Sequence, residues 1–313
     1  MLLVVCDLRK DYGRGHQTRT KFLLNNIFKD FENIELYIDE CLTIDNLEEI
    51  IYKKKPRCIY FDSYSHEFLK FLNSKSIPLI LFGDILLESK NHTLNDRSLI
   101  FDPYNWISSN KLLKPSSKIE IYKGLEYCPI KVKNLDQLKK NEMFVIFRSL
   151  DFHYMKHLVD ILLIKKIKKI YFHINIFSGN SCLDDVSQKI NKYLINIPNL
   201  EIFFESGELD YETYFQRCKY VVSTASMSSV EAISMGCCVY LYSIALNQKS
   251  ILKSLIDNRL AIGLINDNRY KKNLQIQEIK HLNKKFQKAD NNFIKKSLGS
   301  KILNDFKKWY SKI

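Results

Sequence analysis

Short apolar segments alternate with amphipathic segments along most of this 313-residue chain, and no other feature restricts the fold as strongly. The first apolar run covers residues 2–6, a polar loop containing Gly13 and Gly15 follows, and a helical pattern then runs to Phe31. Strand, glycine-containing loop and helix form the opening unit of a doubly wound sheet. Short buried strands separated by helices predict an α/β fold with a parallel sheet covered on both faces.

The alternating pattern starts again near the middle of the chain, after a polar stretch at residues 134–141. We therefore predict two Rossmann-like lobes, an N-terminal lobe at 1–138 and a C-terminal lobe at 139–313. Strands are predicted at 2–6, 34–38, 58–61, 78–82, 99–101, 143–147, 170–174, 200–204, 220–223 and 239–242. Helices are predicted at 44–54, 66–74, 157–167, 184–194, 211–218, 230–235, 275–287 and 292–310. Ligands of open α/β sheets bind beyond the carboxyl ends of the strands, which predicts a site in a cleft between the lobes.

Composition narrows the class of protein. Hydrophobic residues make up 46% of the chain and charged residues 27%, as in folded globular proteins. The net charge of +13 is carried largely by short lysine runs, such as 53–55 and 165–169. Such runs can attract nucleic acid or an anionic membrane, but they are more often solvated faces. These runs lack interleaved arginine or aromatic residues, so we favour solvated faces and expect no nucleic-acid partner.

The eight cysteines give no sign of a disulfide framework or a zinc site, because none occurs in a CxxC pair. The amino terminus becomes acidic at Asp7, too early for a signal peptide, and no apolar stretch has the length of a membrane span. We therefore expect a cytoplasmic protein without a membrane span, and a monomer.

The first candidate site segment is the loop at residues 13–19, which reads Gly-Arg-Gly-His-Gln-Thr-Arg. Its glycines permit a tight turn and a close approach of the backbone to a ligand. His16 falls at the start of the following helix, where a neutral imidazole can serve as general base. Arg19 lies one turn later on the same face and can pair with a phosphate or a carboxylate. The alternative interpretation is an ordinary helix start with an incidental histidine.

The second segment, Asp62-Ser63-Tyr64, follows a buried strand directly. Asp62 or Tyr64 can contact a sugar there, or they can be a helix N-cap and a turn tyrosine. Asp84 and Asp102 also end strands, and each is interpreted either as a carboxylate of the site or as a cap.

The third segment runs from Ser223 to Ala232, where a predicted strand ends in small hydroxyl residues and a helix begins. Free N–H groups and the positive end of the helix dipole favour a diphosphate at such a position. Glu231 on the first turns of that helix can accept hydrogen bonds from ribose hydroxyls. The alternative is a serine N-cap with a glutamate that complements the dipole.

Together these segments resemble the PseG/SpsG family. The resemblance rests on GxGHxxR at 13–19, DxY at 62–64, the helix start before Glu231 and the Asn247-Gln248 pair. Its best-known member hydrolyses UDP-2,4-diacetamido-2,4,6-trideoxy-β-L-altropyranose in the synthesis of pseudaminic acid, a sugar of surface polysaccharides. Its fold is the GT-B fold of two Rossmann-like lobes facing a central cleft, which it shares with the glycosyltransferase of lipid II synthesis.

The resemblance implies a role for each matched residue. His16 would activate water for attack at the anomeric carbon with loss of UDP and inversion, and Tyr64 would position sugar or water. The remaining substrate contacts implied are Gly13, Gly15, Arg19, Asn247 and Gln248, and the UDP contacts are Ser226, Ser228 and Glu231. The resemblance implies no metal and no cofactor, because helix N-termini can stabilise the departing diphosphate.

The chain departs from that family after the first strand of its second half. The family usually has a Gly-Gly-x-Asp turn, whereas this chain has Arg148-Ser149-Leu150-Asp151, and Lys131 stands where arginine is common. Side chains at 148 and 149 restrict the approach of backbone to a diphosphate, although Arg148 can contact it instead. Three functions therefore stay open: a UDP-sugar hydrolase, a glycosyltransferase using a nucleotide-sugar donor, and a non-catalytic nucleotide-sugar-binding protein.

Overall fold

The computed structural model describes residues 1–7, 15–29, 34–39, 43–86, 94–107, 118–130, 138–148, 154–175, 183–207, 209–244, 246–264 and 301–313. The chain divides into two compact units. Unit 1 comprises Met1–Lys131 and Lys296–Ile313, and unit 2 comprises Val132–Lys295.

Unit 1 is built on a six-stranded sheet with the strand order β2-β1-β3-β4-β5-β6, in which every pairing is parallel. Its strands are β1 (Leu2–Asp7), β2 (Ile34–Asp39), β3 (Cys58–Asp62), β4 (Leu79–Phe82), β5 (Leu99–Asp102) and β6 (Glu120–Lys123). Its helices are α1 (Gly15–Asn26), α2 (Ile44–Lys54) and α3 (His66–Ser74), with short 3-10 turns at Gly83–Leu86 and Leu125–Tyr127.

The central strands of unit 1 are apolar because helices cover both faces of the sheet. All residues of β3 and β4 are buried. Alternate residues therefore enter two separate cores, one containing Leu3, Ile59 and Leu81 and the other Val4, Tyr60 and Phe82. This arrangement confirms the predicted parallel sheet with two covered faces.

The C-terminal helix α9 (Ile302–Tyr310) belongs to unit 1. Its buried residues Ile302, Phe306 and Trp309 pack in the same core as Leu2 and Val4. The Trp309 indole N–H donates to the carbonyl oxygen of Arg97 at 2.9 Å. The sequence predicted that this helix belongs to the second lobe, whereas it packs in unit 1. An apolar helix face does not reveal which core it enters.

Unit 2 repeats the architecture with the all-parallel strand order β12-β11-β10-β7-β8-β9. Its strands are β7 (Lys140–Arg148), β8 (Lys169–Asn175), β9 (Glu201–Glu205), β10 (Cys218–Thr224), β11 (Cys238–Tyr242) and β12 (Ile262–Gly263). Its helices are α4 (Met155–Lys165), α5 (Leu183–Leu194), α6 (Tyr211–Arg217), α7 (Met227–Ser234) and α8 (Leu246–Asp257). Two parallel sheets with covering helices confirm the predicted fold class.

Three elements were absent from the sequence prediction, namely β6, β12 and α8. The strand β6 is half-exposed and lies at a sheet edge, and β12 has only two residues, so neither has an apolar pattern long enough to be recognised. The predicted helix 275–287 and the first part of 292–310 lie outside the described residues. No helix within the described ranges is long and apolar enough to cross a membrane.

Candidate functional site

The strand order of unit 1 creates one position where side chains from several segments meet. From β1 the chain moves to β2 on one side, and β3 lies on the other side of β1. This reversal is the topological switch point at which open α/β sheets bind ligands. The helix α1 starts close after β1, Asp62 ends β3, and Asp84 follows β4. The fold therefore brings these segments to the same edge of the sheet.

Asp62 is the centre of this arrangement and is fully buried. One carboxylate oxygen, Oδ1, contacts His16 Nδ1 and accepts from Arg19 Nη2. The other, Oδ2, accepts from Arg19 Nε at 2.8 Å and from the Tyr60 hydroxyl at 2.5 Å, with Thr20 Oγ1 at 3.4 Å. Asp62 is therefore not the N-cap of α3, which is Ser65.

Arg19 joins two carboxylates. Besides its two bonds to Asp62, its Nη1 donates to Asp84 Oδ1 at 2.9 Å and to Oδ2 at 3.0 Å. The guanidinium also lies over the ring of Phe82, 4.4 Å from its centroid, and Arg19 is only 4% exposed. Of the two partners considered for Arg19 in the sequence, the structure therefore shows carboxylates. Buried between these carboxylates, Arg19 does not fit the substrate contact that the resemblance implies.

The ionisation of the network follows from these contacts. Burial opposes the charge on Asp62, but Arg19 and His16 outweigh it and hold the pKa of that carboxyl well below its usual range. Burial also lowers the pKa of Arg19, and Asp62 and Asp84 raise it by more. Arg19 and Asp62 are therefore an ion pair of a guanidinium with a carboxylate. Because an ionised carboxylate only accepts, a hydrogen bond between Asp62 and His16 requires the hydrogen on Nδ1. Arg19 Nη2, which lies 3.2 Å from the same nitrogen, is then a neighbour of Nδ1 and does not donate to it.

His16 and Tyr64 lie in contact, as expected for residues that follow neighbouring strands. Their rings meet edge to face with centroids 4.4 Å apart, and His16 is 2% exposed. The Tyr64 hydroxyl donates to Asp84 Oδ2 at 2.9 Å. Burial and the neighbouring Asp84 carboxylate raise the pKa of Tyr64 well above its usual value, so the phenol keeps its proton. His16, which is buried, is thus fixed through Asp62, and Tyr64, which is half-buried, is fixed through Asp84.

Asp102, the last of the carboxylates considered in the sequence, is a cap. Its oxygens accept from the backbone N–H groups of Trp106 at 2.7 Å and Ile107 at 3.2 Å. Gly83 packs so closely on Asp102 that an added Cβ would lie 2.8 Å from its Oδ1. Of the predicted glycines, Gly15 is the first residue of α1, whereas Gly13 lies outside the described residues.

Unit 2 has its own switch point between β7 and β10, and the predicted nucleotide residues follow β10. Ser226 is the N-cap of α7. Its backbone N–H donates to Ser229 Oγ at 3.2 Å, and that hydroxyl donates back to the Ser226 carbonyl at 2.6 Å. Ser226, Ser228 and Glu231 are all half-buried on the first turns of this helix. This start of α7 fits both the capping and the anion-binding interpretation.

The other predicted residues of unit 2 differ in what the structure shows. Gln248 is buried, and its Oε1 accepts from the backbone N–H of Ile244 at 3.0 Å, so it stabilises the chain between β11 and α8. Asn247 is the second residue of α8, and Arg148 ends β7 beside Asn175 of β8. The side chains of Asn247 and Arg148 lie outside the description.

Sequence reasoning missed three residues of the network, namely Thr20, Tyr60 and Phe82. A signal for two of them existed, because Tyr60 is two residues before Asp62 in a strand and Thr20 is four residues after His16 in a helix. Those spacings place each pair on a common face. Within the described ranges no group of three His, Cys, Asp or Glu side chains is placed to hold a metal ion.

Solved structures with the same fold cover the whole chain at low identity. MurG of Acinetobacter baumannii is 12% identical with a TM-score of 0.54, covering 100% of this chain and 99% of its own. MnaA of S. aureus, solved with UDP, is 13% identical with a TM-score of 0.59, and the match covers 100% of this chain and 97% of MnaA. A glycosyltransferase of Rickettsia africae is 13% identical with a TM-score of 0.57, and the match covers 99% of this chain and 97% of the glycosyltransferase. The sequence matches no protein-family model and no curated protein. The chain therefore has a GT-B-like fold of two Rossmann-like units.

Proposed function

We propose that this protein hydrolyses a UDP-linked sugar and releases UDP. The observation that carries the proposal is the contact of His16 with the buried carboxylate of Asp62 at the switch point of unit 1. A histidine bonded in this way through one nitrogen has a defined tautomer, which is what a general base requires. The GT-B-like fold and the resemblance at residues 13–19 support a nucleotide-sugar as the substrate.

In the proposed step, His16 accepts a proton from water and UDP is the leaving group. With its hydrogen on Nδ1 bonded to Asp62, His16 carries a lone pair on Nε2. Nε2 takes a proton from water as the water oxygen bonds to the anomeric carbon. The bond from that carbon to the diphosphate oxygen breaks, and its electron pair leaves with UDP. The imidazolium formed is stabilised by Asp62, whose negative charge is maintained by Arg19.

Nucleotide recognition is assigned to unit 2. The first N–H groups of a helix point out of its start and favour a phosphate there, which supports binding of the diphosphate at Ser226 and Ser228. Glu231, half-buried on the same helix, would accept hydrogen bonds from the ribose hydroxyls. Arg148 ends β7, the strand that pairs with β10, and would neutralise part of the diphosphate charge. MnaA was solved with UDP, which supports a uridine nucleotide for a chain of this fold.

The sugar proposed is a diacetamido-trideoxy hexose of nonulosonic (pseudaminic) acid synthesis, as the resemblance implies. Tyr64 is the described residue best suited to meet it, because the phenol is half-buried, touches His16 and has its hydroxyl held by Asp84. By the resemblance, Asn247 would contribute a further polar contact, and so would Nε2 of Gln248, whose Oε1 is bonded to Ile244. The reaction requires no cofactor, and we propose that the enzyme acts as a cytoplasmic monomer.

A glycosyltransferase is the second candidate, and the observation that favours it is the fold. Two structures of this fold are named as MurG and as a glycosyltransferase. In a transferase His16 would deprotonate a sugar hydroxyl instead of water, with the same atoms breaking and forming bonds at the anomeric carbon. The two candidates differ only in whether turnover needs an acceptor.

The test is UDP release from UDP-linked diacetamido sugars, with product analysis by mass spectrometry. Wild type should release UDP and free sugar without an acceptor, and His16→Asn should be slower by about 10²-fold or more. His157→Asn, a histidine change in α4, is the matched control and should keep the wild-type rate. Release only with an added acceptor would identify a transferase. UDP binding without turnover on any UDP-sugar, acceptors included, would leave a binding protein and refute the hydrolase.

A further inference from the structure

Arg19 occupies a position in the network that neither the general base nor the nucleotide contacts explain. A guanidinium has five N–H donors in a fixed plane. Here the Nε and Nη2 edge faces Asp62 and Nη1 faces both oxygens of Asp84. The face of the group rests on Phe82. The guanidinium is thus held between the end of β3, which supplies Asp62, and the end of β4, which supplies Phe82 and the Asp84 that follows it.

The two carboxylates held by Arg19 lead to different residues of the proposed site. Asp62 contacts His16 Nδ1, and Asp84 accepts from the Tyr64 hydroxyl at 2.9 Å. Because one rigid fork fixes both carboxylates, the position of the His16 ring and that of the Tyr64 hydroxyl depend on the same side chain. The rings of His16 and Tyr64 also touch, so a shift of either carboxylate changes their mutual position.

We infer that Arg19 is a positioning residue, which sets His16 through Asp62 and Tyr64 through Asp84 and does not touch the substrate. This inference rests on the proposed function for the reaction it serves. It revises the role of the arginine implied by the resemblance, since a guanidinium that is 4% exposed and bonded to two carboxylates presents no surface to a phosphate.

The substitution Arg19→Lys tests the fork separately from the charge. Lysine keeps a positive charge beside the two carboxylates but cannot bond both of them in one plane. A misplacement of about 1 Å in a catalytic group can cost about 10²-fold in rate. We expect kcat for UDP release to fall about 10²-fold, while KM for the UDP-sugar and the Kd for UDP, measured calorimetrically, change less than about twofold.

Two further variants make the result specific. Asp84→Asn removes only the carboxylate that links Arg19 to Tyr64, and it nearly conserves volume. It can therefore be used if Arg19→Lys does not fold. We expect it also to lower kcat and to leave KM unchanged. The control is Arg217→Lys in unit 2, where the arginine donates to Glu142 at 2.6 and 3.2 Å. Arg217 lies before β10, at the end of the strand opposite to α7, and its substitution should leave kcat unchanged.

A second readout separates failure of this inference from failure of the proposed function. Long-range ¹H–¹⁵N NMR of the His16 ring should show one tautomer with the proton on Nδ1 in the wild type, and altered ring signals in Arg19→Lys. If the wild type turns over no UDP-sugar, the proposed function fails and the ring spectra alone decide the positioning role. Identical His16 spectra in wild type and Arg19→Lys, or a rise in KM with kcat unchanged, would overturn it.

Discussion

Replacing Asp62 by asparagine tests a carboxylate that contacts four side chains of the described structure, while nearly conserving its shape. The change removes a buried negative charge and leaves Arg19 with Asp84 as its remaining acidic partner among the described residues. Removing one member of a buried ion pair costs about 3–5 kcal/mol, because the remaining charge stays desolvated. Each kcal/mol corresponds to about 2–4 °C in Tm for a domain of the size of unit 1, so we expect a loss of about 6–20 °C.

The loss should depend on pH in a defined direction. The folded protein holds the pKa of Asp62 well below its usual range, so the unfolded chain binds the proton more readily as the pH falls. The contribution of Asp62 is therefore complete above about pH 5 and declines as the pH falls below about 4, the ordinary pKa of an aspartate. Wild type should lose this part of its stability in acid, and the Asp62→Asn variant has none of it to lose.

The assay is calorimetric unfolding of wild type and Asp62→Asn between pH 3 and pH 7, following the transition that includes unit 1. The gap in Tm between the two proteins should be widest near neutrality and narrow toward pH 3. Glu49→Gln is the matched control, because Glu49 pairs with Lys53 on the exposed face of α2 and should change Tm by no more than the experimental error. A gap no larger than that of the control at pH 7 would refute the buried ion-pair network.

Two other substitutions test separate parts of the structure. Gly83→Ala should lower the stability of unit 1 by about 1–3 kcal/mol in denaturant titrations, because its Cβ would lie 2.8 Å from Asp102 Oδ1; the loss should shrink in an Asp102→Ala background, and equal losses in both would contradict this contact. Glu231→Gln should weaken UDP binding about tenfold or more through the loss of charge-assisted hydrogen bonds to ribose; Glu212→Gln on α6 is the control, and unchanged affinity in Glu231→Gln would remove this residue from the proposed nucleotide site.

The fold could be predicted from the sequence because its strands are apolar and short. The ten predicted strands coincide with observed strands to within about three residues at each end. Central strands such as β3 and β4 are covered on both faces and are therefore largely apolar, whereas the edge strand β9 is partly exposed but still contains three apolar residues. The unit that receives α9 could not be predicted. The sequence shows that residues 302–310 have an apolar face, but two similar cores compete for such a face, and only the packing on Leu2 and Val4 decides between them.

The sequence predicted several residues of the candidate site, but it did not predict Thr20, Tyr60 and Phe82 or the hydrogen bonds between the members. His16, Asp62, Tyr64 and Asp84 were all candidates because each follows a strand. Their pairing depends on strand order, which places β3 next to β1 and β4 next to β3, and the sequence does not give that order. Arg19 illustrates the consequence, since a phosphate and a carboxylate suit a guanidinium equally well until the two aspartates are placed beside it.

The composition of this network argues for a role beyond stability. Apolar side chains of similar volume in the same place would often be as stabilising as a buried ion pair or more so, because the desolvation of charged groups offsets most of their attraction. The same sheet has such apolar cores on both faces, with Ile59 and Phe61 facing one and Tyr60 facing the other. Charged groups are concentrated where the strands end at the switch point, and there they fix the orientation of a histidine and a tyrosine. Oriented polar groups in a low-dielectric site need no rearrangement when charge develops during a reaction. This composition supports the proposed function, in which the network orients His16 and Tyr64 for a chemical step.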